Sequence, residues 1–224
     1  MEVKTRLGRM IITSLLLGAT YLGGCATMEM GKGEAAKTTT KAQAVESDLK
    51  QTLAQVDATQ ASLDNLIKPG QADVKSKLDT YSADVKKMDK MAKELEKDQA
   101  KLQEQQRDYI AEWEKKESTY TDQKVREASS ERRAALNNAY NEVPKANRQF
   151  QDALNSYLSQ IKQIQSQVSL DLSTKGIEAI TPAAQKALSE GAKLKESADP
   201  VMTAMDRVMN EMAREGAGAA AGGY

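Results

Sequence analysis

Apolar side chains recur every seven residues through most of this 224-residue chain, and that period admits few folds. A seven-residue step returns a helical side chain to nearly the same face, so a sustained ladder makes a seam that another helix must cover. From Val45 the ladders are Leu49, Val56, Leu63 and Val45, Thr52, Thr59, Leu66. They stop at Lys68-Pro69-Gly70-Gln71, a strong turn signal. A second helix carries Val74, Tyr81, Met88, Leu95, Leu102, Tyr109 beside Leu78, Val85, Ala92, Gln99, Gln106, Trp113. A third carries Leu136, Val143, Phe150, Tyr157, Ile164 beside Tyr140, Asn147, Leu154, Ile161, Val168. Its phase is one residue off the second, so the register slips between Glu114 and Ala135, through either a stutter or a loop near 118–122. The third ladder keeps phase through Pro144, which predicts a kink there rather than a turn.

The last third reads as shorter pieces. Asp171 or Ser173 is expected to cap a turn through Gly176-Ile177. Thr181-Pro182 and Asp199-Pro200 each have the form of an N-cap followed by proline at the first helical position. The fold class expected is all-α: an elongated antiparallel helical hairpin or bundle with coiled-coil seams. Aromatic residues are 4% of the chain and charged residues 29%, which suits a buried stripe better than a thick core.

Ahead of the ladders, Lys4, Arg6 and Arg9 precede a 13-residue apolar stretch from Met10 to Leu22. That is shorter than the ~20 residues a spanning helix needs, and it has the layout of a secretory signal. The stretch ends in Leu22-Gly23-Gly24-Cys25, which resembles the lipobox of bacterial lipoproteins. The resemblance implies cleavage after Gly24 and acylation of Cys25. Ala26 in the next position is similar to the pattern of lipoproteins sent to the outer membrane, so the expected location is that membrane, facing the periplasm. Residues 26–40 lack apolar periodicity and read as a flexible tether with a reach of ~20 Å. The expected organisation is therefore a signal peptide at 1–24, acylated Cys25 and tether at 25–40, a helical domain at 41–214, and a disordered Gly/Ala tail at 215–224.

Several function classes are set aside by what the chain lacks. It has no histidine, and Cys25 is its one cysteine, so Ser-His-Asp and Cys-His catalysis, His/Cys zinc sites and an internal disulfide are excluded. Carboxylate pairs such as Glu94/Glu96 and Glu112/Glu114 read as solvated helix charges. Neither a phosphate-cradling nor a dinucleotide-binding glycine motif is present in the mature sequence. Without residues 1–24 the chain has 29 basic and 31 acidic residues, hence no basic field for nucleic acid. No catalytic, cofactor-binding or metal-ligating residue is assigned, no small-molecule substrate is evident, and an enzyme is not expected.

What remains is surface. Trp113, with Tyr109 and Tyr120 near it, reads as a packing knot or as an anchor for a protein partner. Met202, Met205, Met209 and Met212, spaced three, four and three apart, read as a seam or as an adaptable partner groove. The segments Tyr109-Ile110-Ala111-Glu112-Trp113-Glu114 and Leu170-Asp171-Leu172-Ser173 with Gly176-Ile177 resemble an uncharacterised family of coiled-coil bacterial envelope proteins, often lipid-anchored. The resemblance implies the architecture and brings no activity. The functional expectation is a lipid-anchored scaffold or adaptor, with a protein partner or self-association through its helices. The alternative is a periplasmic holdase or lipid-binding module that uses the methionine stripe.

Overall fold

The structure, a computed structural model, describes residues 29–70 and 73–221, with side chains for 33, 35–70 and 73–214. The expected signal peptide and Cys25 lie outside the described residues. Four helices follow one another: α1 (Glu29–Ile67), α2 (Val74–Glu117), α3 (Gln123–Leu170) and α4 (Thr174–Ala221). Among the described residues there is no strand. At ~1.5 Å per residue the helices run from ~58 Å to ~72 Å. Each packs on its chain neighbours and α1 closes against α4, while the two diagonal pairs make no close backbone approach. The result is an up-down-up-down four-helix bundle.

The ladders form its core. Leu49, Val56, Leu63, Tyr81, Met88, Leu95, Phe150, Tyr157 and Ile161 are all fully enclosed. Several polar seam positions are accommodated by hydrogen bonds, although the buried Gln106 Nε2 has no partner among the described residues. Thr52 and Thr59 donate to the carbonyls of Asp48 and Gln55, each at 2.8 Å, so both hydroxyls are satisfied without leaving the helix. Gln99 and Asn147 exchange amide bonds at 3.0 Å across α2 and α3, and Gln151 donates to Gln99 at 2.8 Å.

The turns follow from their residues. Gly70 has φ +72°, a left-handed conformation that glycine adopts without cost. Asp73 caps α2 by accepting from the Ser76 amide (3.0 Å), and Asp122 caps α3 by accepting from Val125 (3.1 Å). The register slip is thus a loop over 118–122, not a stutter. Ser173 caps α4, accepting from Gly176 at 3.2 Å. A Cβ on Gly176 would fall 2.2 Å from the Asp171 carbonyl oxygen, so this close approach requires glycine.

Three expectations need correction. The last third is one 48-residue helix, and Pro182 and Pro200 lie inside it rather than at helix starts. Both are exposed, so the carbonyls four residues earlier face solvent, while Ile180, Ala184, Ala198 and Val201 hold the inner face against the core. Pro144 likewise lies inside α3, in line with a continuous helix there. The stretch read as tether is helical from Glu29, and Thr38 is buried. The physical reason is tertiary: Thr39 donates to the Ala35 carbonyl (2.9 Å) and approaches the Met212 sulfur of α4 (3.6 Å). Finally, the α4 backbone stays helical to Ala221, through most of the expected tail.

Candidate functional site

Short cross-helix pairs establish which residues share an end. Lys41 reaches Asp98 at 2.7 Å, and Gln55 reaches Asp84 at 3.2 Å, so α1 runs antiparallel along α2. The start of α1, the α2–α3 loop and the end of α4 therefore lie together. The α1–α2 and α3–α4 turns form the opposite end.

At the first end, the Tyr109 and Trp113 rings meet edge to face at 5.9 Å. Both are half-buried against the core. The indole N–H donates to the Ser129 hydroxyl (2.9 Å), which in turn approaches Glu117 Oε2 (3.4 Å). Arg133 Nε donates to the same carboxylate at 3.0 Å. Glu117 is buried, and its carboxylate beside Arg133 raises the guanidinium pKa above its ordinary value. This chain fastens α2 to α3 and uses the polar edge of the indole. Tyr120 stands apart from that cluster, in the loop, with its carbonyl held by Arg126 Nη2 at 2.5 Å.

The methionine stripe turns inward. Met205 and Met212 are buried, and Met202 and Met209 pack half-buried on the core. Met212 accepts from the Tyr140 hydroxyl at 3.4 Å. These side chains occupy a seam between α4 and its neighbours. They do not gather with Trp113 into one surface.

The centre of the bundle holds two buried tyrosines. Tyr81 donates to the Ile161 carbonyl at 2.8 Å, and the Tyr157 hydroxyl has no hydrogen-bond partner among the described residues. Burial pushes both phenols well above their ordinary pKa, with Asp57 and Asp84 adding to the shift at Tyr157. Both phenols stay protonated among apolar neighbours, and Tyr81 serves as a structural donor. Nothing there provides a nucleophile or an acid near neutral pH.

Sequence reasoning missed the opposite end. Leu170, the last residue of α3, is 86% exposed, and Leu172 on the α3–α4 turn is 38% exposed. At the same end a groove of 520 Å³ runs between the α1–α2 turn and α4, lined by Leu66, Pro69, Val74, Ile177 and Thr181 among others. A signal was available: Leu170 lies two residues beyond the Val168 ladder position, off the seam. Among the described residues no three His, Cys, Asp or Glu side chains are placed to hold a metal ion. Among them, too, no helix is long and apolar enough to cross a membrane. The chain matches no protein-family model, no curated protein and no solved structure.

Proposed function

We propose that the chain is a lipid-anchored envelope protein, attached through Cys25 to the outer membrane on its periplasmic side, that acts as a non-enzymatic scaffold or adaptor. The observation that carries this reading is the separation of the two ends. The chain leaves α1 towards Cys25 at one end, and the exposed Leu170 and Leu172 and the groove stand at the other, a helix length of ~58 Å away. A rod with an attachment point at one end and apolar surface at the other can hold a partner at a fixed distance from a bilayer. Burying exposed leucine contributes roughly 1.5–3 kcal/mol per side chain to such a contact. The holdase alternative rests on the methionine stripe, and Met205 and Met212 lie inside the bundle.

The test is photo-crosslinking in a bacterial host from position 170, with Arg148 on the exposed flank as control. The reading expects one discrete adduct from Leu170, none from Arg148, and weakening of the adduct in Leu172→Glu. A broad spread of adducts from both positions would favour the holdase. Cys25→Ser should move the protein from the membrane fraction to the soluble one; retention on the membrane would sink the anchor.

A further inference from the structure

We propose that the tip of the α2–α3 hairpin, the loop at 118–122, lies against the lipid headgroups of the membrane that holds Cys25, as a second contact that sets the tilt of the rod. This rests on the reading of Cys25 as the acylated residue. The Lys41–Asp98 pair sets α1 against α2, and twelve residues back from Lys41 the same register puts Glu29 opposite Ile110. From Ile110, α2 continues to Glu117 before the loop begins at Ser118. Eight residues of helix amount to ~12 Å, so the loop overhangs the start of α1 by about that distance.

Only Ala26, Thr27 and Met28 separate Cys25 from Glu29. Four backbone steps span at most ~14 Å even when fully extended. Acyl chains in the bilayer hold Cys25 at the level of the headgroups. With the connection fully stretched along the rod, the loop already stands within ~2 Å of that level. Any shorter path brings the loop onto the surface or tilts the bundle away from upright. Had the tether run flexibly to Thr40, as its composition suggested, the overhang would have carried no such consequence.

The chemistry of the tip fits a contact imposed by geometry rather than by charge attraction. Residues 107–135 carry seven basic and seven acidic side chains, so anionic lipid adds no net pull. Tyr120 at the apex is half-exposed, and Val125 is 52% exposed just beyond it. A tyrosine tolerates the headgroup layer, where its ring and hydroxyl meet both environments.

The experiment uses the full chain, purified acylated from a bacterial envelope and reconstituted in phosphatidylethanolamine/phosphatidylglycerol vesicles that contain a headgroup-spin-labelled lipid. Cys25 is the one cysteine, and in the lipoprotein reading its sulfur carries a diacylglyceryl group as a thioether, leaving no free thiol. Thr121→Cys at the tip, or Lys68→Cys at the far end, then supplies the single reactive thiol for a fluorophore. The proposal expects the Thr121 label to be quenched severalfold more than the Lys68 label. An insertion of about twelve Gly/Ser residues between Met28 and Glu29 should reduce that quenching severalfold, since it lengthens the connection well beyond the overhang. Equal strong quenching at both positions would mean a rod lying flat, and no quenching at either would mean a tip held clear; each overturns the proposal. Thr121 quenching undiminished by the insertion would also overturn it, because short connection length would not be the cause. An intact mass without acyl chains, together with failure to bind vesicles, would remove the anchor reading and this proposal together. Acylated, bound protein without preferential Thr121 quenching removes the proposal alone.

Discussion

The middle of the bundle and the α2–α3 tip continue the same two ladders, yet they are held in different ways. In the middle, Tyr81, Met88, Phe150, Tyr157 and Ile161 are enclosed by four helices. Between Leu102 and Leu136 no apolar residue is buried, and the buried residues there are the polar Gln106 and Glu117. Tyr109 and Trp113 occupy seam positions there and remain half-exposed. A heptad ladder states which face a side chain takes, whereas burial depends on how many neighbours reach that face. The tip substitutes a hydrogen-bonded chain, Trp113 to Ser129 to Glu117 with Arg133, for the packing it lacks. Stability should accordingly be uneven along the rod, with the tip opening locally before the middle does.

The largest break in this comparison comes from Phe150→Ala. Its ring is fully enclosed, so truncation removes apolar burial and leaves a cavity, at a cost of about 3–5 kcal/mol. Denaturant unfolding followed by circular dichroism should show one cooperative transition at a markedly lower midpoint. A loss below ~1 kcal/mol would mean that the site collapses freely and the middle is not packed as described.

How much of this was legible varies by helix. α2 and α3 were readable because large residues fill nearly every ladder position, and most of those positions are buried. The seam of α4 was not, because Ala184, Ala187, Gly191, Ala198 and Ala204 supply much of it. Small side chains give a weak apolar signal but let helices approach. A Cβ on Gly191 would meet Gln60 Nε2 at 2.6 Å and Tyr157 at 3.1 Å, where Gln60 crosses to donate to the Leu188 carbonyl. Pro182 and Pro200 added a misleading local signal that packing overrides. Thr38 and Thr39 likewise read as tether, because threonine has no strong helical preference and the contact that orders Thr39 comes from Met212, 173 residues away. Among the candidate site residues, the spacing placed the methionines on one helix face without telling that α1 and α3 cover it. The exposed leucines at 170 and 172 were visible as residues, but a turn between two long helices was not expected to project them.

A smaller effect should follow from Arg133→Met. The substitution keeps the aliphatic stem and removes the cation that bonds the buried Glu117 carboxylate. Arg133 is partly exposed while Glu117 is nearly enclosed, so the global cost should be about 1–3 kcal/mol. Its signature is local. Amide hydrogen exchange should accelerate between Tyr109 and Arg133 and stay unchanged around Phe150. Equal acceleration in both regions would erase the distinction between tip and middle.

The smallest effect concerns the rim of the middle region. Asp98 is held below its ordinary carboxyl pKa first by the hydrogen bond from Lys41, and Asp89 by the bonds from Lys162 and Lys93. A carboxyl depressed in the folded state binds fewer protons than its unfolded counterpart near the ordinary value of 3.8. Its contribution is therefore complete above that value and is lost as pH falls through the lower folded one. Each pair is partly solvated, so the loss should be about 0.2–1 kcal/mol per pair. Urea midpoints measured from about pH 5 down to about pH 2.5 should fall gradually, and Asp89→Asn with Asp98→Asn should flatten that slope. The enclosed apolar side chains around Phe150 carry no proton and should keep the bundle folded throughout. An unchanged slope in the double variant would show that these two pairs contribute nothing net to the middle region.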